Sequence, residues 1–295
     1  MRLGVLCQPH HVALRDILAR LRASAEEVGA ELVLAADLLA VTGGDGPALE
    51  EDPGALDFLL TLGGDGTLLR GARLAGPIDV PVVGCNLGKL GFLTTVPIDR
   101  LEELLHRLKD GDYAEERRLA LHVGIHPADG DSGKAASEPT ETFYALNDAV
   151  VHKGGFARLI SMRVWVNEEE IGQYSADGIV VATATGSTAY SLSAGGPILV
   201  PSVDALVATP ICPHTLAVRP VVVPADATIT VEILSRMDGI LVTVDGQSGG
   251  RLGGGGRVSV KCSPHPVRLI RMPDQNFFSV LRQKMRWGDV RPSTA

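Results

Sequence analysis

Phe58-Leu59-Leu60-Thr61-Leu62-Gly63-Gly64-Asp65-Gly66-Thr67-Leu68-Leu69-Arg70-Gly71-Ala72-Arg73-Leu74 decides the fold of this chain. An apolar run enters a glycine turn and leaves it at helical spacing, which predicts a strand, a tight turn and a helix start. Glycines let the main chain turn with positive φ and let a ligand approach backbone amides. The first turn of a helix offers unpaired N–H groups to an anion. Asp65 does not fit a simple anion cradle, because two like charges about 4 Å apart repel by roughly 4 kcal/mol at an effective dielectric near 20. It has a second use: to hold a divalent cation, to take a proton from a hydroxyl, or to cap the helix that follows. These residues alone leave those readings open. A similar stretch, Gly43-Gly44-Asp45-Gly46, runs into Pro47 and the acidic Glu50-Glu51-Asp52-Pro53, and is expected to be a surface loop.

Upstream, Leu3 to Cys7 and Leu32-Val33-Leu34 read as strands. Leu14, Ile17, Leu18, Leu21, Ala25 and Val28 fall on one helical face that Gly29 ends. Downstream, Val80 to Gly84 is a further strand, and Ile98, Leu101, Leu104, Leu105 and Leu108 a helix closed by Gly111. Strands alternating with helices predict a parallel, Rossmann-like sheet covered by helices. Ligands of such sheets bind at the carboxyl ends of the strands, where Asp65 lies. From about residue 118 the period changes from helical to alternating, as in Leu119 to Ile125, Ser161 to Val166 and Ile229 to Ile233. The expected organisation is therefore an α/β domain over 1–117, a β-rich domain over 118–272, and a C-terminal helix over 273–295 that returns to the first domain. Asp129 to Glu141 and Gly249 to Gly256 read as polar, glycine-rich loop tips.

The chain has 295 residues, 45% of them apolar and 21% charged, with a formal net charge of -8. This is the composition of a soluble globular protein, and its acidity argues against nucleic acid as a partner. No apolar run is long enough for a membrane span, and the N-terminal apolar stretch is too short for a signal peptide. The expected location is the cytoplasm. Cys7, Cys85, Cys212 and Cys262 form no Cys-x-x-Cys pair, which disfavours a zinc or redox centre and predicts buried free thiols.

Both the Gly-x-Gly-x-x-Gly dinucleotide fingerprint and the Walker P-loop are absent. Other segments carry the chemistry. Asn86 to Leu93, with Gly88, Gly91 and Phe92, follows a strand at the same carboxyl edge. Asn147-Asp148 sits between apolar triplets and needs polar partners, from a ligand or from a turn. The densest stretch, Ser175 to Pro197, runs from a buried strand into a Thr/Gly/Ser-rich turn and a short helix of small residues. So many hydroxyls and free amides are expected to form a binding site. Asp245-Gly246-Gln247 reads as a hairpin turn.

Together these residues closely resemble the NAD kinase family, whose members phosphorylate NAD to NADP. The glycine turn alone is shared with diacylglycerol-type lipid kinases. Thr185 to Pro197, with Asn147-Asp148 upstream and His214 to Pro220 downstream, is specific to the family. The resemblance implies an α/β domain joined to a β-rich NAD-binding domain, and an ATP- or polyphosphate-dependent reaction assisted by Mg²⁺ or another divalent cation. It implies that Asp65 activates the 2′-hydroxyl of the adenosine ribose and that Gly63, Gly64, Gly66 and Thr67 hold phosphate. It also implies that Gly66, Phe92, Asn147, Asp148, Asp177, Thr185, Thr188, Ala189, Tyr190 and Ser193 bind NAD, Asp177 often from a neighbouring subunit of a homodimer or homotetramer. No metal ligands are identified. Asp148 stands where many members have Glu, and Ala184 where many have Pro. Ser175 matches neither of the pairings associated with one phosphoryl donor, so ATP and polyphosphate both remain open. A lipid kinase and a non-catalytic NADP-binding sensor are the alternatives.

Overall fold

A computed structural model of the chain describes residues 1–8, 10–42, 48–51, 55–128, 138–154, 159–215, 217–235, 239–247, 249–273 and 276–286. The Gly43 to Gly46 stretch, and most of the expected loop from Asp129, lie outside these residues.

The alternating start of the chain forms strands β1 (Arg2–Cys7), β2 (Glu31–Leu34), β3 (Phe58–Leu62), β4 (Val82–Asn86), β5 (Val96–Pro97) and β6 (Ala114–Arg118), with helices α1 (Leu14–Val28), α2 (Ala36–Thr42), α3 (Asp65–Ala75) and α4 (Leu101–Asp110) between them. β2, β1, β3 and β4 lie side by side in that order, all parallel. Because β3 pairs on the opposite side of β1 from β2, the order reverses between β1 and β3, the place where open α/β sheets form ligand crevices. The alternation along β3 separates its two faces. Phe58, Leu60 and Leu62 join the core built by α1 and α4, while a methyl group added at Gly71 of α3 would strike Thr61 and Leu59 on the other face. Gly29 and Gly111 end α1 and α4 with φ of 67° and 72°, the left-handed conformation that side chains resist. Two elements escape the sequence pattern. α2 is a seven-residue helix with one buried side chain, Leu38, and β6 (Ala-Glu-Glu-Arg-Arg) is an edge strand without apolar alternation.

The next twelve strands are β7 (Leu121–His126), β8 (Glu141–Ala145), β9 (Asp148–Lys153), β10 (Ile160–Val166), β11 (Glu169–Ala176), β12 (Gly178–Thr183), β13 (Ala205–Ile211), β14 (Val221–Pro224), β15 (Ile229–Ile233), β16 (Ile240–Val244), β17 (Arg251–Leu252) and β18 (Arg257–Cys262). Helix α5 (Tyr190–Ser193) is inserted after β12. The strands form two antiparallel six-stranded sheets, β11-β10-β15-β18-β7-β8 and β14-β13-β12-β9-β16-β17. Their inner faces share one core, with Val123, Met162, Val231 and Val260 from the first and Val151, Ile179, Val181 and Val242 from the second. The second sheet also buries Val150, Val180, Ala182 and Val207 on its outer side, beneath Ala194 and Leu199. Burial on both faces explains why β12 and β13 are continuous apolar runs whereas β15 and β16 alternate. β17 occupies part of what reads in sequence as a loop tip.

The chain then makes β19 (Val267–Arg271) and α6 (Phe277–Met285). β19 is parallel to β4, pairing Leu269 with Val82 and Ile270 with Val83, and lies between β4 and β6 in the first sheet. The compact units are therefore Met1–Arg117 with Val267–Ala295, and Arg118–Pro266. Residues 267–272, expected among the β-rich strands, belong to the first unit. The signal was ambiguous because a short apolar strand reads the same in either kind of sheet.

Candidate active site

In the first unit, β3 delivers Gly63 to Thr67 at its carboxyl end. Gly63, Gly64 and Gly66 all avoid the positive φ that sequence reading anticipates. Gly63 is required by proximity instead: an added methyl would lie 2.2 Å from Thr67 Oγ1, whereas Gly64 and Gly66 face open space. Gly64 takes the N-cap position of α3 without any side-chain cap, so Asp65 is not the capping residue. Thr67 N–H donates to Gly64 O at 3.0 Å. Among the described residues, no acceptor meets the amides of Gly64, Asp65 and Gly66.

Asp65 reaches across to the segment that follows β4. Its Oδ2 accepts a hydrogen bond from the Phe92 amide at 2.8 Å. Its Oδ1 accepts three, from the Leu93 amide, the Thr94 amide and the Thr94 hydroxyl, each at 3.0 Å. A carboxylate oxygen offers about two lone-pair positions, so Oδ1 is saturated while Oδ2 retains one. The approach is close enough that an added methyl at Gly91 would sit 1.9 Å from Oδ1. Asn86 shapes the same loop. Its Oδ1 accepts from the Gly88 amide at 2.6 Å, and its amide donates to the carbonyls of Lys89 and Thr94. Phe92 is fixed further by groups that sequence reading missed. Buried Arg271 donates to its carbonyl at 3.5 Å and pairs with Glu116 at 3.1 Å, and the Lys284 ammonium lies 5.8 Å from its ring centroid. Arg271 lies 179 residues from Phe92 in sequence and Lys284 further still, and only the return of the chain through β19 and α6 brings them here.

In the second unit, the Asn147-Asp148 pair sits at the bend between β8 and β9. Asp148 is 4% exposed and Asn147 9%. The Asp148 carboxyl is pushed up to about 7, first by burial and then by the nearby Asp245 carboxylate, against a hydrogen bond from the Tyr190 amide. Asn147 Oδ1 is buried and without a hydrogen-bond partner among the described residues. Asp245, read from sequence only as a turn residue, does hold a left-handed turn at φ 51° ahead of Gly246 at φ 67°. It does more than turn the chain, since its carboxylate accepts the amides of Leu146, Asn147 and Asp148 at 3.0, 2.8 and 3.2 Å.

The hydroxyl-rich stretch after β12 differs from its sequence reading. Thr183 donates to Leu146 O at 2.7 Å, Ser187 to Ala184 O at 2.7 Å, Thr188 to Thr185 O at 3.2 Å, and Ser191 pairs with Thr209 at 2.8 Å. Most of these hydroxyls tie the turn to itself. Thr185 accepts from buried Arg118 at 3.3 Å. Gly186 packs on Asn147 so closely that a methyl would lie 2.1 Å from its carbonyl. Tyr190, 47% exposed, and Ser193 leave their side chains at the surface, with Ala189 half-buried beside them. Asn147, Asp148, Thr185, Thr188, Ala189 and Tyr190 are thus gathered at one end of β12 and β9. Asp177 is not. It precedes β12, where its carboxylate pairs with Lys153, while Asp148 is in register with Ala182. Five residues of strand separate the two acids, roughly 17 Å at about 3.3 Å per residue. All four cysteines are free, and Cys212 is exposed and Cys262 half-buried rather than buried.

The chain is similar to known proteins over nearly all of its length. Residues 47–113 match the family model for the ATP-NAD kinase N-terminal domain, and residues 146–272 that for the ATP-NAD kinase C-terminal domain. The chain is 44% identical to an NAD kinase of Gemmatimonas aurantiaca over 98% of its own length and 97% of the relative's. It is 37% identical to an NAD kinase of Geobacter sulfurreducens over 98% and 99%. Among solved structures, it is similar to yeast NADH kinase complexed with NADH (TM-score 0.87, 25% identity, 100% of this chain and 90% of that one). It is also similar to an NAD kinase from Archaeoglobus fulgidus in complex with ATP (TM-score 0.73, 25% identity, 97% and 99%). The chain belongs to the NAD kinase family. That membership sets aside the lipid kinases that share its glycine turn.

Proposed function

We propose that this protein transfers the terminal phosphoryl group of ATP to the 2′-hydroxyl of the adenosine ribose of NAD, giving NADP. The observation that carries the chemistry is Asp65, whose Oδ1 is filled by three donors while Oδ2 keeps one acceptor position beside the unpaired amides of Gly64 to Gly66. Oδ2 accepts the ribose proton as the new oxygen–phosphorus bond forms and the bond to the donor's bridging oxygen breaks. Gly64 and Gly66 present main-chain amides and Thr67 its hydroxyl to phosphate oxygens, and the start of α3 favours their charge, whereas Gly63, whose amide donates to the Cys85 carbonyl at 2.9 Å, shapes the turn. Phe92 supplies an apolar face to the nucleotide. Asn147 and Asp148 accept hydrogen bonds from adenosine, and the unpartnered Asn147 Oδ1 supports that role. Thr185, Thr188, Ala189, Tyr190 and Ser193 are the further NAD-binding residues of the β-rich unit.

Among the described residues, no three His, Cys, Asp or Glu side chains come together as a metal cage. This suits Mg²⁺ or another divalent cation carried largely by the donor's own phosphates. Such an ion neutralises phosphate charge when bound. Asp177, remote from Asp148 along β12, reaches NAD from a neighbouring copy in a homodimer or homotetramer. Four free thiols support a reducing compartment such as the cytoplasm, and the net charge of -8 supports the absence of a nucleic-acid partner. No helix among the described residues is long and apolar enough to cross a membrane.

The test is NADP formation from NAD and Mg²⁺ with either ATP or polyphosphate, read through an NADP-specific dehydrogenase. Turnover with ATP is expected, and the polyphosphate arm settles the donor range. Saturable NAD binding without turnover under either condition would replace this reading with a nucleotide sensor.

A further inference from the structure

The bend at Leu146 to Asp148 has every main-chain polar group engaged. The three amides donate to the Asp245 carboxylate. The Asp148 carbonyl accepts from the Asp245 amide at 2.9 Å and the Asn147 carbonyl from the Thr183 amide at 2.9 Å. The Leu146 carbonyl accepts from the Thr183 hydroxyl at 2.7 Å. Asp245 thus supplies four of the six bonds, from a turn residue 6% exposed. A three-residue bend fixed in this way cannot rotate to satisfy its own side chains. Asn147 Oδ1 accordingly remains unpartnered although buried.

We infer that Asp245 is a positioning residue for nucleotide recognition: by holding the Leu146–Asp148 main chain from one side, it directs the Asn147 and Asp148 side chains at the substrate. The inference rests on the proposed NAD site and assigns a residue that the family motifs leave as a turn. It also has an electrostatic consequence. The groups that bear on the Asp148 carboxyl are the Asp245 carboxylate at the end of β16 and the Tyr190 amide at the start of α5, while β12 presents Ala182 opposite it. After burial, the larger cause in both cases, Asp245 makes Asp148 harder to ionise, as it does Tyr144 on β8. Ribose hydroxyls and the adenine amino group are donors, so the ionised Asp148 is the form that binds them. NAD affinity of the natural protein is therefore expected to weaken as pH falls through about 7.

Asp245→Asn is the clean test, because Asn tolerates the left-handed turn that Ala would strain. Its Oδ1 can still accept two amides, but its NH₂ would face the Leu146 N–H, donor against donor. NAD and ATP binding to the full-length protein would be measured by calorimetry from pH 5.5 to 8.5, alongside NADP formation. The expected result is NAD binding weakened about tenfold, ATP binding and kcat within about threefold of the natural protein, and the acid limb of NAD affinity moved to lower pH as the like charge is removed. Unchanged NAD affinity with an unmoved limb would overturn the inference. So would equal weakening of NAD and ATP with a lowered Tm and an unmoved limb, which is what a purely structural role predicts. If Asp245→Asn does not fold, amide exchange on the natural protein decides. Protection of the Leu146, Asn147 and Asp148 amides that NAD increases further supports positioning, and exchange at the rate of exposed turns refutes it. Absence of NADP formation by the natural protein would instead remove the proposed function.

Discussion

Asp65 and Asp245 do the same thing to the main chain and differ in what is left over. Asp65 takes the consecutive amides of Phe92, Leu93 and Thr94, and Asp245 those of Leu146, Asn147 and Asp148. In both cases a carboxylate stands in for the hydrogen-bonding partner that a bend in the chain lacks. Asp245 is enclosed in the β-rich unit. Asp65 stands half-buried on the first turn of a helix, with one oxygen still able to accept. The same side chain in the same bonding pattern is a scaffold where it is sealed and, in the reaction proposed above, a reagent where it is open.

The comparison breaks first at Asp65. Asp65→Asn is expected to lower kcat for NADP formation by about 10² to 10⁴-fold while NAD still binds, since general-base assistance is of that size. Near-normal turnover would reduce Asp65 to a second Asp245. Gly91→Ala presses a methyl into Oδ1, so the loop must withdraw. A loss of kcat of about tenfold to a hundredfold is expected in steady-state assays, with Asp65 itself intact. Asp148→Asn acts on stability. The folded carboxyl is raised to about 7 from 3.8. Between those values the unfolded chain ionises while the folded one keeps its proton, so stability falls as pH rises across that window. The variant should be more stable than the natural protein at pH 8, on the order of 2–4 kcal/mol by thermal or urea unfolding, with the difference vanishing below about pH 4. The smallest effect is expected from Thr94→Val, which removes one of the three donors to Oδ1. Activity should stay within about threefold and stability fall by about 1 kcal/mol. A loss as large as that of Asp65→Asn would show that the loop contact, and not proton transfer, is the principal task of the carboxylate.

Much of this was legible in the sequence, for physical reasons. Periodicity located α1, α3 and α4 because each buries one face, and Gly29 and Gly111 marked helix ends because left-handed backbone favours glycine. Asp65, Phe92, Asn147 and Asp148 stood out as polar or glycine-flanked groups at strand ends. Other features had no local signal. β6 lacks alternation, and the placement of β19 depends on pairing with a strand about 185 residues earlier. The hydroxyls of Thr183, Ser187 and Ser191 resemble ligand contacts in sequence but are consumed by neighbouring carbonyls and hydroxyls. Asp245 reads as an ordinary hairpin residue, because a carboxylate that accepts amides about a hundred residues away leaves no trace in its own neighbourhood.

β19 also bears on the order of synthesis. β4 is flanked by β3 on one side, but the other side of Val82 and Val83 receives its partner only when Leu269 and Ile270 arrive. At about 5–20 residues per second, a ribosome makes β4 and then works for roughly ten seconds or more before that edge can close. The β-rich unit is continuous in sequence and has all its strands by residue 266. The part of the protein made first is thus the last to be completed. Until then it presents an open apolar strand edge, the kind of surface on which nascent chains aggregate and which chaperones shield.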